Sequence, residues 1–492
     1  MSDPTAPQNT ANQNTVPTDA AATAPHTSPR SMVAVNDRPN FTKELRLKLR
    51  TPAKQRNREL VLLLFAFAIN LGAITLVELG ALGEITGELF GYSVALCALV
   101  LVVHVGLRLT AREADPLILP IVTALNGLGI AAIYRIDIYQ RNVGWEAASV
   151  RQIVWTAIAI TIALVVLVVI RNHRVLLRFR YVAGFTGLAL LLLPLVPGLG
   201  YAQFGAQLWI RLGPFSFQPG ELAKIALAVF FAGYLVEHRD SLAIVGKRVL
   251  GLQFPRARDL GPILIAWFAA MAVLIFQRDL GTALLYFGLF LVMIYVATGR
   301  VSWVIMGLAL FAGGAIIAAQ VFSHVARRFS GWLDAFNQEL YDAVGGSYQL
   351  VQGLFGLAQG GLVGTGWGQG RPYLVPLAQN DYIIASLGEE LGLAGLFGIL
   401  ALYLLFVARG MRIGFEATDD FGRLLAVGLG FVVALQVFIV VGGVTRLIPL
   451  TGLTTPFLAA GGSSLVANWI IAALLLRLSD TIRTGPHVVV GP

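Results

Sequence analysis

The sequence predicts an all-α protein that crosses a membrane about twelve times. Of its 492 residues, 57% are hydrophobic and only 13% are charged, whereas a typical soluble domain is ~45–50% apolar and ~25% charged. The mean hydropathy of +0.74 is strongly positive. A surface so poor in charge suits lipid rather than water, so we expect a polytopic integral membrane protein.

Twelve apolar segments are long enough to cross a bilayer, since about 20 helical residues span ~30 Å of hydrocarbon. They lie at residues 60–80, 90–110, 115–134, 150–170, 180–199, 219–236, 260–277, 280–298, 302–321, 382–408, 422–445 and 462–480. A membrane domain is therefore predicted over residues 59–480. Barrel strands are excluded because these segments lack the alternation of apolar and polar residues that a barrel requires.

The two ends of the chain are predicted to be cytoplasmic tails. Residues 1–36 are rich in Ala, Thr, Pro, Asn and Ser and contain no apolar run, which is typical of disorder and excludes a signal peptide. Eight Lys and Arg residues follow between positions 37 and 58, and they serve either as a topology anchor or as a site for anionic lipid. We predict a disordered, basic tail over 1–58 and a short tail over 481–492.

The placement of positive charge fixes the predicted orientation. With both termini inside, 26 of the 36 Lys and Arg residues lie on the cytoplasmic side, 9 lie outside, and Lys224 lies within a span. This asymmetry obeys the positive-inside rule. The net charge of +9 therefore reflects topology and does not indicate a nucleic-acid partner.

One external connection, residues 322–381, is about 60 residues long, whereas most other loops are short. It includes a glycine-rich run from Gly356 to Gly370 and ends at Asp381. Long structured loops usually carry function, so we expect the chemistry to occur outside. The glycines follow no predicted strand and lack GxGxxG spacing, which excludes a nucleotide site; they indicate a close-packed loop.

Several charged residues are predicted at membrane depth. Glu221 and Lys224 are three positions apart on one helix, so they share a face, either as a functional pair or as a structural ion pair. Asp279 either caps the next helix or contributes to a polar pocket. Glu389 and Glu390 lie about 12–13 Å deeper than Asp381 on one helix, which calls for a structural partner for at least one of them.

Asp381 is the strongest catalytic candidate, because it closes the external loop at the start of a membrane helix. The alternative is an N-cap, and a helix N-terminus would also lower the pKa of this carboxylate. Metal chemistry of the zinc type is excluded, since the single cysteine, Cys97, and six scattered histidines show no ligand spacing.

Four blocks of residues follow one another along the membrane domain. They are Phe217-Gln218-Pro219-Gly220-Glu221-Leu222-Ala223-Lys224; Asp279-Leu280-Gly281-Thr282; Gly346-Ser347-Tyr348-Gln349 with Asn380-Asp381-Tyr382-Ile383 and Glu389-Glu390-Leu391-Gly392; and Pro449-Leu450-Thr451-Gly452 with Pro456-Phe457 and Gly461-Gly462-Ser463-Ser464. Together, from about residue 115 to 480, they make the chain resemble the SEDS family (shape, elongation, division and sporulation), the RodA/FtsW class. Two N-terminal spans are additional to the family's ten-span core.

The chain departs from the family pattern at a few positions. Gly220 stands where the family usually has Ser, Arg278 where Pro is common, and Ala459-Ala460 where Ser-Tyr often occurs. None of these changes removes an ionisable residue of the pattern. The likeness favours the RodA branch.

The resemblance implies a peptidoglycan glycosyltransferase that polymerises lipid II on the outer face of the bacterial plasma membrane, for cell elongation and shape. The family's catalytic carboxylate falls on Asp381, which would be a general base with undecaprenyl pyrophosphate as the leaving group. Its glutamate–lysine pair falls on Glu221 and Lys224. The family also implies a partner, a single-pass class B penicillin-binding protein, and a divalent cation such as magnesium could assist.

We expect the substrate to be bound by polar residues of these blocks and by cations facing the pyrophosphate. They are Glu221, Lys224, Asp279, Arg211, Arg278, Arg327, Arg328, Arg371, Gln349, Glu390, Ser463 and Ser464. The competing hypotheses are a lipid II flippase that uses Glu221 and Lys224, the division-specific FtsW-type paralogue, and a scaffold. A flippase would tolerate loss of Asp381, and the absence of an evident internal repeat weakens the case for a transporter.

Overall fold

The computed structural model describes residues 41–203, 206–213, 215–243, 245–249, 252–255 and 260–484. The chain divides into two units, residues 1–49 and 50–492, and the site lies in the second. The helices of the described residues are α1 (Phe41–Leu82), α2 (Phe90–Thr110), α3 (Ile118–Gln140), α4 (Ala148–Val169), α5 (Arg174–Arg178), α6 (Arg180–Leu192), α7 (Pro219–Ala243), α8 (Gly261–Ala272), α9 (Leu280–Thr298), α10 (Val301–Val321), α11 (Ser323–Leu333), α12 (Gln338–Asp342), α13 (Tyr348–Gly360), α14 (Ile383–Glu416), α15 (Asp420–Val444) and α16 (Gly462–Thr484).

Ten helices among the described residues are long and apolar enough to cross a membrane, which confirms the predicted polytopic all-α fold. They are α1 from Lys54 onward, α2, α3, α4, α7, α9, α10, α14, α15 and α16. The other two predicted spans fall on shorter apolar helices, Arg180–Leu195 and Gly261–Gln277. The first of these ends in a 3-10 turn at Pro194, since proline cannot continue the α-helical hydrogen-bond ladder.

The predicted N-terminal tail, 1–58, includes helical backbone, and its bounds stay a prediction. The backbone is already helical from Phe41, because the segment that follows is rich in Leu, Lys, Arg and Glu, which favour helix. Residues 1–40 of that tail and 485–492 of the predicted C-terminal tail lie outside the described residues.

Short strands occur in two connections where none was predicted. Strands β1 (Gly200–Gln203), β2 (Ala206–Leu212) and β3 (Phe215–Phe217) form an antiparallel sheet between α6 and α7. Strands β4 (Val245–Val249) and β5 (Leu252–Pro255) form a hairpin between α7 and α8.

The helices differ in how deeply they are enclosed. The most apolar window of α3 is 100% buried, that of α16 is 89% and that of α15 is 72%, whereas α1, α2 and α4 bury less than half of theirs. The helices α3, α15 and α16 therefore form the centre of the helix bundle, and α1, α2 and α4 present apolar faces to lipid. The external segment is folded as α11, α12, α13 and a 3-10 turn, Pro372–Leu374.

Candidate active site

Three of the four sequence blocks meet around the side chain of Arg328 on α11. Its guanidinium donates a hydrogen bond from Nη1 to the carbonyl oxygen of Leu450 at 2.9 Å. Its charge acts on the carboxylates of both Asp279 and Asp381. Arg328 is partly buried, whereas its neighbour Arg327 is exposed. The structure therefore distinguishes two arginines that the sequence could not rank.

Asp381 is half-buried in the turn that precedes α14. Tyr382, not Asp381, occupies the N-cap position of that helix, so the capping interpretation is wrong. Burial raises the pKa of the Asp381 carboxyl to about 6, although the positive charge of Arg328 opposes the shift. The expected lowering by the helix N-terminus is therefore also wrong, because desolvation outweighs it. A carboxylate with this pKa is a stronger base than a solvated aspartate, near 3.9, and remains mostly ionised at neutral pH.

Asp279 caps α9. Its Oδ1 accepts a hydrogen bond from the backbone N–H of Thr282 at 3.0 Å, and its Oδ2 accepts one from the Thr282 hydroxyl. The carboxylate is 4% exposed and also feels the charge of Arg328. The capping interpretation is confirmed, and a contribution of Asp279 to a polar pocket stays a prediction.

Glu221 and Lys224 form a buried ion pair on one face of α7, as their spacing predicts. Lys224 Nζ donates to Glu221 Oε2 at 2.6 Å, to Gln436 Oε1 at 2.9 Å and to Asn468 Oδ1 at 3.2 Å. Lys224 is 1% exposed, so the ammonium group has its hydrogen bonds supplied by three helices. The roles of Gln436 and Asn468 were not predicted, because they lie more than 200 positions away in sequence.

A hydrogen bond joins the first sequence block, residues 217–224, directly to the fourth, residues 449–464. The backbone N–H of Gln218 donates to the hydroxyl oxygen of Ser463 at 2.8 Å. The Tyr286 hydroxyl, one turn beyond the second block, donates to the carbonyl oxygen of Gly220 at 2.7 Å. Ser464 accepts a hydrogen bond from Asn468 at 3.2 Å. Ser463 and Ser464 thus hold helix ends and the buried polar cluster together.

The glutamates at the start of α14 are engaged by protein groups. Glu390 Oε1 accepts from Arg135 Nε at 3.1 Å, and Arg135 also donates to the carbonyl oxygen of Gly370 at 2.9 Å. Glu389 Oε1 accepts from the backbone N–H of Arg371 at 2.6 Å. These contacts support the structural role that the sequence predicts for at least one of the two.

Residues 361–370, here named the glycine loop, dock on a break in α14. Gly392 has φ +68° and ψ −174° inside the helix, so the α14 ladder is interrupted there. The carbonyl oxygens of Glu389 and Glu390 accept from the N–H groups of Thr365 and Gly366 at 3.0 and 2.9 Å. Beyond the break, the N–H groups of residues 393 and 394 donate to carbonyl oxygens of residues 361 and 362.

The other predicted substrate-binding residues lie at the periphery. Arg278 is exposed in a left-handed turn, and Arg371 is exposed at the end of the glycine loop. Arg211 lies on β2 over the ring of Tyr201, 5.0 Å from its centroid. The Gln349 side chain donates to the carbonyl oxygen of Pro376 at 2.6 Å, which ties α13 to the segment leading to Asp381.

A resident metal site is not evident among the described residues, since no group of three or more His, Cys, Asp or Glu side chains converges there. Magnesium usually binds through one or two carboxylates plus substrate phosphates. Asp279 and Asp381, both near Arg328, are the carboxylates that fit such a shared arrangement, so the magnesium expectation stays a prediction.

Comparison with known proteins places the chain among cell-wall proteins. The family model for FtsW, RodA and SpoVE cell cycle proteins matches residues 116–484. A Mycobacterium tuberculosis relative, peptidoglycan glycosyltransferase RodA, is 45% identical over 440 residues, covering 88% of this chain and 93% of the relative. Stage V sporulation protein E of Bacillus subtilis is 36% identical over 299 residues, covering 60% and 77%.

Two solved structures share the fold. One belongs to a peptidoglycan synthase complex described as coordinating polymerization and crosslinking, with 25% identity, a TM-score of 0.57, and coverage of 76% of this chain and 99% of that chain. The other is a mutant of the rod shape determining protein RodA of Thermus thermophilus, with 24% identity, a TM-score of 0.52, and coverage of 75% and 98%.

Proposed function

The chain belongs to the FtsW, RodA and SpoVE family of cell cycle proteins, and we propose that it polymerises lipid II with Asp381 as the general base. It is a multi-pass membrane protein and a peptidoglycan glycosyltransferase of cell-wall synthesis. The observation that carries the catalytic assignment is the half-buried Asp381 carboxylate, whose pKa is about 6, beside Arg328 where three sequence blocks meet.

The reaction is a single inverting displacement. The 4-hydroxyl of the acceptor N-acetylglucosamine attacks C1 of the donor N-acetylmuramic acid, and Asp381 accepts the hydroxyl proton. The new C1–O4 bond forms as the bond from C1 to the pyrophosphate oxygen breaks, and undecaprenyl pyrophosphate leaves. General base catalysis of this kind contributes roughly 10²–10⁴-fold. A second catalytic acid, as in inverting glycosidases, is not needed because pyrophosphate is already a good leaving group.

Arg328 serves two purposes in this mechanism. Its charge favours the ionised form of Asp381, and it offers a partly buried cation to the developing negative charge of the pyrophosphate. Charged hydrogen bonds to a leaving phosphate are strong when the donor is preorganised, and the bond from Arg328 to Leu450 fixes this side chain. The exposed Arg278, Arg327 and Arg371 are secondary phosphate ligands.

The lipid-bound substrate explains why the enzyme is embedded in a membrane. A ~55-carbon chain gains about 0.8 kcal/mol for each buried CH₂, so both saccharides stay at the bilayer surface. We place the active site on the outer face of the bacterial plasma membrane, with both termini in the cytoplasm. The related chain in a complex for polymerization and crosslinking supports a single-pass class B penicillin-binding protein as partner.

The Glu221–Lys224 pair is assigned to the structure of the membrane domain rather than to transport. Both side chains are at most 6% exposed. The two charges compensate each other, and the Lys224 ammonium also donates to side-chain amide oxygens of α15 and α16. A flippase pathway would need such charges to face a route for the headgroup.

The deciding experiment compares purified wild type and Asp381→Asn in polymerisation of lipid II, with and without the partner. We expect glycan formation to fall by at least roughly 10²-fold, while the thermal unfolding midpoint is unchanged. Asp342→Asn, an isosteric change at an exposed position of the same external segment, is the matched control. Full wild-type activity in Asp381→Asn would refute the mechanism.

A further inference from the structure

The helices α1 and α2 precede the segment matched by the family model, which begins at residue 116. The outer end of α1 nevertheless contacts the glycine loop. Gln369 Nε2 donates a hydrogen bond to the carbonyl oxygen of Gly80 at 2.7 Å. The indole of Trp367 is partly buried against the cluster that contains Ile74 and Val77 of the same helix.

The packing between α1 and the glycine loop is backbone against backbone. A methyl group added at Gly80 would lie 2.0 Å from the carbonyl oxygen of Trp367, and one added at Gly368 would lie 2.6 Å from the backbone nitrogen of Ala81. Both distances are far below any real contact, so glycine is required on each side. Gly72, two turns earlier on α1, has no atom within 4 Å of such a methyl group.

Two consecutive residues of α3 tie α1 and the glycine loop together. The Tyr134 hydroxyl donates to Glu78 Oε1 at 3.2 Å, and Glu78 is 1% exposed. Glu78 Oε2 also accepts from the backbone N–H of Gly87 at 2.9 Å, which fixes the turn before α2. Arg135 donates to the carbonyl oxygen of Gly370. The glycine loop is therefore held between α1, α3 and the break in α14.

The chain that leaves the glycine loop runs along α3 to Asp381. The ring of Tyr373 stacks on that of Tyr139 with planes 5° apart. Further along, Val375 and Ala378 pack in one buried cluster with Ile136 of α3. Tyr382, the residue after Asp381, belongs to the same cluster. Packed contacts with α3 therefore follow the chain from the end of the glycine loop to the residue after Asp381.

We propose that α1 and α2 together position the external segment for catalysis, with Gly80 and Gln369 as positioning residues. The outer end of α1, α3 and the break in α14 hold the glycine loop between them, and we call this arrangement the clamp. It holds Arg371 and Asp381 at the distances that transfer requires, without touching the substrate. This role rests on the proposed function of Asp381.

The test is Gly80→Ala in the full chain, with Gly72→Ala on the same helix as the matched control. We expect kcat to fall by roughly 10²-fold, as for a displacement of about 1 Å in a catalytic group. KM for lipid II should stay near that of Gly72→Ala. The unfolding midpoint should be lower than that of Gly72→Ala because of the clash with the Trp367 carbonyl oxygen, so kcat is measured per folded enzyme. Gln369→Glu keeps the side-chain size but removes the donor to Gly80, and it should lower kcat in the same direction.

Two results would overturn the proposal. One is an equal kcat for Gly80→Ala and Gly72→Ala. The other is a loss of activity that matches the loss of folded protein, with unchanged kcat for the folded fraction, because that result indicates a purely structural contact.

Hydrogen exchange separates this inference from the proposed function. We expect the amides of residues 361–371 to exchange faster in Gly80→Ala than in Gly72→Ala. This readout does not depend on whether Asp381 is the base. If Asp381→Asn stayed active while the loop amides of Gly80→Ala lost protection, the proposed mechanism would fail and the clamp would stand. Unchanged protection would refute the clamp by itself.

Discussion

At the scale of single residues, the pKa of Asp381 leads to a prediction about pH. A base must be ionised, and this carboxyl titrates at about 6 because it is buried. The value of kcat/KM should therefore be constant above this pH and fall tenfold per unit below it. Arg328→Gln removes the charge that favours the anion, so the fall should shift to higher pH. The measurement is a pH–rate profile of lipid II polymerisation.

Arg327→Gln is the matched control for this profile, because Arg327 is the exposed neighbour of Arg328 and does not act on Asp381. Its acidic limb should coincide with that of the wild type. A wild-type profile that is flat down to pH 4, or an Arg328→Gln profile shifted to lower pH, would contradict the assignment of Asp381 as the base.

The buried pair on α7 leads to a second prediction. Lys224→Met leaves the Glu221 carboxylate buried without its cation, which should cost about 3–5 kcal/mol in the free energy of unfolding. Adding Glu221→Gln removes the stranded charge, and a neutral amide costs less to bury than an unpaired carboxylate. The double variant should therefore unfold at a higher temperature than Lys224→Met alone, measured by thermal unfolding in detergent. A less stable double variant would show that the two charges do not compensate each other.

Residue types and local spacing predicted part of the site. The shared face of Glu221 and Lys224 follows from their separation along one helix, and Asp381 follows from its place at the end of the external segment. The contacts that Arg135 makes with Glu390 and Tyr286 makes with Gly220 could not be predicted, because they join helices that are distant in sequence. Only packing decides such contacts. The predicted lowering of the Asp381 pKa was wrong for the same reason, because the burial that raises this pKa depends on the whole fold.

At the scale of elements, the break in α14 leads to a third prediction. The conformation of Gly392, φ +68° and ψ −174°, is open essentially to glycine only, at a cost of about 1–3 kcal/mol for other residues. A methyl group there would also lie 2.3 Å from the backbone nitrogen of Gly364. Gly392→Ala should therefore lower the unfolding midpoint and release the glycine loop. Thermal unfolding and protease sensitivity of residues 361–370 measure the two effects.

The control for this change is Gly398→Ala, on the same helix. Its added methyl group meets no atom within 4 Å, and alanine favours helix over glycine by up to about 1 kcal/mol. We expect equal or slightly higher stability and an intact loop. If Gly392→Ala behaved like Gly398→Ala, the docking of the glycine loop on the break would not matter for the fold.

Long elements were predictable and short ones were not. Each of the twelve apolar segments contains a helix, because hydrophobic length alone identifies a span. The break at Gly392 was missed because one glycine in an apolar run does not reveal its backbone conformation. The strands β1 to β5, of three to seven residues, are too short for their periodicity to be distinguished.

At the scale of the whole molecule, charged contacts gather at the two ends of the bundle. At one end, Arg409 Nε donates to Asp115 at 2.9 Å, and Arg483 contacts both Asp115 and Glu416. These residues lie on α14, α16 and the turn between α2 and α3. The Asp381 carboxylate lies at the opposite end of α14. An orientation that puts the basic end in the cytoplasm therefore places Asp381 outside.

This orientation can be tested by labelling with a membrane-impermeant maleimide in right-side-out vesicles. The single cysteine, Cys97, is first replaced by alanine, and one cysteine is then introduced by Val344→Cys or by Thr418→Cys. Val344, in the external segment, is 94% exposed, and Thr418 is exposed between α14 and α15. Because positive charge is retained inside, Val344→Cys should be labelled in intact vesicles and Thr418→Cys only after permeabilisation. The reverse pattern would place Asp381 in the cytoplasm, where it could not act on lipid II at the outer surface.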